Sequence, residues 1–172
     1  KVHIKFTPER GGQIPLRLEI GEDDFAADNT YTSVLSIPDR IRVLVVGEDP
    51  NETYYVMQAL SAASDAGEQL ILSQAVSGAV NANLLIDTDV VVLCNVPRLT
   101  RGQINALRQS IEEGTGLMIV LGGRVDVRHY NGELLPSLFP ASLVSIVGNP
   151  GQRRTYHSLV SPLPSHPLFE NT

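Results

Sequence analysis

The hydrophobic positions of this chain follow two different periods, and the change between them falls near residue 40. Before it, apolar and polar residues alternate: Val2 to Phe6, Ile14 to Ile20 and Tyr31 to Ile37 each read as a strand with one wet face. Gly11-Gly12 and the acidic loop Gly21 to Asn29 separate them. From Ile41 onward, short β-branched runs alternate with stretches of helical spacing. Ile41 to Val46, Leu70 to Val76, Asp89 to Cys94 and Leu117 to Leu121 are predominantly apolar and read as buried parallel strands. Between them the pattern predicts three helices. The first is capped by Asn51 or Thr53, carries Val56, Leu60 and Ala63, and stops before Gly67. The second is short, Ala79 to Ile86. The third runs from Arg101 to Glu113 behind the capping box Thr100/Gln103, places Ile104, Leu107 and Ile111 on one face, and ends at Gly114. Ser142 to Val147 reads as one more strand at an edge.

Repeated strand-helix units predict an α/β fold, a mostly parallel, doubly wound sheet of about five strands. The division is residues 1–40 as antiparallel strands, 41–149 as the α/β domain, and 150–172 as an extended, proline-bearing tail. Three strands are a poor domain alone, so residues 1–40 are expected to be the end of an immunoglobulin-like sandwich begun upstream. The chain starts inside a strand pattern without Met, which fits a piece of a longer protein.

Composition narrows the function classes. At 172 residues the chain is long enough for one good core, and no apolar run approaches the roughly 18 residues of a membrane span. A net charge of −6 with dispersed basic residues argues against a nucleic-acid surface. One cysteine excludes an internal disulfide or a cysteine zinc site, and no metal or cofactor is expected.

In open α/β sheets ligands bind beyond the carboxyl ends of the strands, so four tips carry the candidate chemistry: Gly47 to Glu52, Ser77-Gly78, Cys94 to Arg98 and Gly122 to Arg128. The first tip is acidic and has no glycine-rich phosphate cradle, which disfavours a dinucleotide or P-loop site. Together with Cys94-Asn95-Val96-Pro97 it resembles the phosphoacceptor face of a response-regulator receiver. Cys94 then stands in place of the aspartate, and no lysine follows Lys5, so such a receiver would be degenerate. Cys94 is also a possible nucleophile for His129 or His157. It follows four apolar residues and lacks a glycine elbow, which favours a buried packing thiol. Arg124, Asp126, Arg128, His129, Tyr130 and Asn131 form the densest polar cluster at any tip, and Arg124, Asp126, Arg128 and His129, with Asn95 at the neighbouring tip, are the expected ligand- or partner-binding residues. The cluster is read either as an anion or carboxylate site or as a helix start capped by Asp126. Glu22, Asp23, Asp24, Asp28 and Asn29 lack the spacing of an EF-hand and read as a solvated turn.

On Phe6-Thr7-Pro8 with Gly11-Gly12, Asp28 to Tyr31, Ile41 to Val46, Asp89 to Pro97, Gly116 to Gly122 and Tyr130-Asn131, the chain resembles the soluble region of aerotolerance-type (Bat-like) bacterial membrane proteins. The resemblance implies membrane helices outside this stretch, an immunoglobulin-like sandwich and a class I glutamine-amidotransferase-like, flavodoxin-like domain. In amidotransferases the nucleophile elbow would fall at Gly122 or Gly123, and neither glycine can attack a carbonyl. The resemblance therefore implies a non-catalytic scaffold or binding module facing the periplasm. Its expected partners are proteins of the bacterial envelope, and the apolar face of residues 1–40 is expected to pair with a second copy, giving a homo-oligomer, or to lie against the α/β domain. A cysteine enzyme built on Cys94 is the expectation from the opposite class.

Overall fold

The computed structural model describes residues 11–21, 29–65, 69–145 and 147. Val2 to Phe6, most of the acidic loop, Gly67 and the 150–172 tail with His157 lie outside them.

The protein is α/β. A four-stranded, all-parallel sheet stands beside a separate two-stranded antiparallel sheet. The small sheet pairs β1 (Gly12–Glu19) with β2 (Thr30–Ile37), bringing Ile14 opposite Leu35 and Leu18 opposite Tyr31. Alternation puts these four side chains on one face. None of them enters the buried clusters of the α/β part, and Tyr31 is 64% exposed.

The parallel sheet contains β3 (Ile41–Gly47), β4 (Leu70–Val76), β5 (Val90–Cys94) and β6 (Gly116–Val120), in the order β4-β3-β5-β6. The chain steps from β3 to one side and then to the other, so the carboxyl ends of β3 and β5 flank the point where the order reverses. Successive residues of β3 face opposite layers. Val43 and Val45, with Val92 and Cys94 of β5, pack under helix α1 (Pro50–Asp65) through Val56, Met57 and Leu60. Leu44 and Val46, with Val91 and Leu93, pack under the helices of the other layer. These are the short helix α2 (Ala82–Leu85), α3 (Arg101–Glu112), and a helical segment built from α4 (Val127–His129), a π turn (Tyr130–Leu134) and α5 (Leu135–Leu138). Burial on both faces holds for β3 and β5. β4 and β6 are edges, and Met118 of β6 is 57% exposed on the face that packs under α1.

Several local expectations change. The first helix is capped by neither Asn51 nor Thr53. Asp49 caps it, accepting the Asn51 N–H at 2.8 Å, and Pro50 takes the first helical position, where its missing donor costs nothing. Thr53 is instead buried: its hydroxyl donates to the Pro50 carbonyl at 3.1 Å and accepts from Gln74 Nε2 at 2.6 Å. The short helix predicted over Ala79 to Ile86 divides into a 3-10 turn, Ser77–Ala79, and α2, because the Asn81 side chain accepts the Leu84 N–H and starts a new helix there. The strand predicted over Ser142 to Val147 is not formed by Ser142–Ser145. Both backbone groups of Leu143 are taken by one side chain, since Asn131 accepts its N–H and donates to its carbonyl, each at 2.8 Å. No helix among the described residues is long and apolar enough to cross a membrane.

Candidate functional site

Three strand tips are laced together at the reversal point, and Asn95 is the common member. It follows β5 directly with φ 49°, a left-handed conformation that Asn tolerates better than most residues, while its N–H still pairs with the Val120 carbonyl. Its carboxamide spans the neighbours. Nδ2 donates to Glu52 Oε2 at 2.6 Å, and Oδ1 accepts the Arg124 N–H at 2.9 Å. The Arg124 guanidinium then lies 3.6 Å from both Asp49 and Glu52. The acidic tip after β3 is thus met by one cation from the tip after β6. Glu48 turns to the Ser77 hydroxyl.

This lacing accounts for two glycines. A Cβ on Gly47 would stand 2.7 Å from Thr53 Cγ2. One on Gly122 would enter the space of the Asn95 carboxamide and come 2.9 Å from Asn95 Cβ. Gly123 has nothing within 4 Å of its Cβ position. Asn95 therefore covers the first residue of the Gly122-Gly123 pair.

Cys94 is 1% exposed, one residue before this network but on the α1 side of the sheet. Burial, and then the Glu52 carboxylate, push its thiol above the ordinary cysteine value. Both causes act against the thiolate that a cysteine nucleophile requires. The structure does not bring Cys94 to His129, whose Nε2 accepts the Leu99 N–H at 3.2 Å and whose Nδ1 lies 3.7 Å from Glu133, beyond hydrogen-bond reach.

The Arg124 to His129 stretch separates into two groups. Arg124 joins Asn95, whereas Asp126 and His129 belong to the start of α4. Asp126 Oδ1 accepts the His129 N–H at 3.0 Å, so the capping role read from the sequence is the one observed. Its second oxygen holds Arg98 through Nε at 2.9 Å and through Nη2. The His129 backbone bond first, and then the Arg98 side chain, draw the Asp126 carboxyl below the ordinary aspartate value. Arg128 is exposed. Tyr130, fully buried, donates to the Val96 carbonyl at 2.7 Å, and burial raises its phenol to about 12.

Sequence reasoning missed Glu52 and Arg98 as partners of these residues. An acidic third position in a helix that starts Asp-Pro was the available sign for Glu52, but the contact itself spans 43 positions. Among the described residues, no group of three or more His, Cys, Asp or Glu side chains could hold a metal ion. Beside the network lies a cleft of about 950 Å³, bounded by Ser77 to Ala82, Arg98 to Gln103, His129 and Glu133. Comparison with protein-family models, curated proteins and solved structures returns no match to this chain.

Proposed function

We propose that the chain is a non-catalytic scaffold or binding module of a membrane-anchored bacterial envelope protein, a degenerate amidotransferase-like domain without its nucleophile. Counted from β3, the strand order is 2-1-3-4, the start of the flavodoxin-like order, and this supports the doubly wound reading. The β1–β2 hairpin is then the end of an immunoglobulin-like sandwich, with envelope proteins or a second copy as partners of residues 1–40 and with membrane spans elsewhere in the protein as tether. The observation that carries the functional reading is Asn95 lying over Gly122. Acyl transfer needs an exposed nucleophile at the elbow with a base in reach. Here the Gly122 position is filled by a carboxamide already bonded to Glu52 and Arg124, and the open position at Gly123 carries no side chain to attack with. The thiol one residue earlier is buried and held protonated.

The test is a glutaminase and esterase assay on the purified chain, run beside iodoacetamide labelling at neutral pH. No turnover and slow labelling of Cys94, released on unfolding, are expected. Turnover lost in Cys94→Ser, or rapid labelling lost in His129→Ala, would replace the scaffold with a cysteine enzyme.

A further inference from the structure

We propose that the cleft between Ser77–Asn81 and Arg98–Gln103 receives an acidic peptide segment of a partner, seating a carboxylate against His129 and Arg101; this rests on the binding-module reading above. The cleft lies at the carboxyl ends of β4 and β5, where the tips after those two strands meet the helical segment that carries His129 and Glu133. At about 950 Å³ it has room for a short run of residues.

Among the described residues, one donor in its wall has no acceptor within hydrogen-bond reach. The His129 side chain is only 8% exposed. Because Nε2 accepts from Leu99, the ring proton sits on Nδ1. The carboxylate beside it, Glu133 Oε1, is 3.7 Å away, beyond hydrogen-bond reach. Glu133 is also a loose partner for Arg101, at 3.4 Å and with the Arg101 side chain 89% exposed. An exposed pair of this kind contributes about 0–1 kcal/mol, so a ligand carboxylate displaces it at small cost. The planar guanidinium offers that carboxylate two parallel donors. Above Gly78 nothing stands within 4 Å of a Cβ position, and above Gly102 only the Thr100 hydroxyl does, at 4.0 Å, so backbone can approach closely on both sides. Arg98 is occupied by Asp126 and shapes the rim. Among the described residues, no Tyr, Phe or Trp lines the cleft, which leaves a sugar or base without a stacking platform there. The Glu133 carboxylate at the rim opposes a dianionic phosphate more than a single carboxylate.

The experiment is an NMR titration of the full ¹⁵N-labelled chain with a capped pentapeptide carrying Glu and Asp, beside its Gln and Asn counterpart. Saturable shifts of the Gly78, Gly102 and His129 signals are expected with the acidic peptide alone. Arg101→Glu should weaken binding roughly tenfold, and Glu133→Gln should tighten it, since it removes the internal competitor. A variant that merely unfolds cannot tighten binding. Equal responses to both peptides, no saturation below about 10 mM, or weakening by Glu133→Gln would each overturn the site. None of these outcomes bears on the missing nucleophile, which fails only if turnover is found.

Discussion

At the scale of single residues, the reversal point of the sheet is organised by one carboxamide. Asn95 adopts φ 49° and in exchange reaches Glu52 on one side and Arg124 on the other. Gly122 is required because that carboxamide lies where its side chain would be, whereas Gly123 faces open space. Gly122→Ala is therefore expected to cost about 1–3 kcal/mol, as overpacking does. Gly123→Ala should stay within roughly 0.5 kcal/mol. Urea midpoints measure both. In an Asn95→Gly background, which keeps the positive φ and removes the carboxamide, Gly122→Ala should become nearly neutral. An undiminished cost there would show that the strain comes from somewhere other than Asn95. The glycines were visible in the sequence, but the residue that makes one of them necessary was not. Asn95 and Gly122 are distant in sequence and meet only because β5 and β6 pair in register.

At the scale of elements, what could be read in advance was what neighbours in sequence decide. Helix α3 is the plainest case. Its start is a reciprocal Thr100–Gln103 capping box. Its end is a turn in which Gly114, at φ 115°, donates to the Ile111 carbonyl and Thr115 donates to the Ser110 carbonyl. Ser142–Ser145 shows the opposite: a strand-like pattern is no strand when Asn131, twelve positions before Leu143, takes both backbone groups of Leu143 first. The α4 start lies between these cases. Asp126 as cap was legible, but its grip on Arg98 was not. That environment has a pH signature with a definite sign. The folded state holds the Asp126 carboxyl below its ordinary value of 3.8, through the His129 backbone first and Arg98 second. Its ionised form thus stabilises the fold above about pH 4, and the contribution disappears as pH falls through the lowered folded value. Asp126→Asn keeps a capping oxygen and removes the charge. The wild-type advantage in urea midpoint should be present at neutral pH and smaller at a pH well below about 4. An advantage equal at both pH values would mean the charge plays no part.

At the scale of the whole molecule, order is concentrated in two strands. β3 and β5 occupy the middle of the parallel sheet, and their residues form both buried layers: Val43, Val45, Val92 and Cys94 beneath α1, and Leu44, Val46, Val91 and Leu93 beneath the other helices. Each side chain fully withdrawn from water there contributes about 1.5–3 kcal/mol. The β1–β2 hairpin shares in neither cluster and leaves Leu18, Tyr31 and Val34 each more than two-fifths exposed. A two-stranded sheet is marginal by itself in water. Its amides are thus expected to open at much lower free energy than those of the central strands. Native-state hydrogen exchange reads this directly. The slowest amides should be those of Val43–Val46 and Val91–Leu93, exchanging only with global unfolding. The β1–β2 ladder amides should exchange through local opening, at a rate insensitive to low denaturant. If the hairpin lies against a second copy, as the sandwich-end reading proposes, its protection should rise with protein concentration while that of β3 and β5 stays fixed. Hairpin amides as slow as those of β3 at every concentration would make the two sheets one cooperative unit. The reading of residues 1–40 as the end of a separate sandwich would then have to be abandoned.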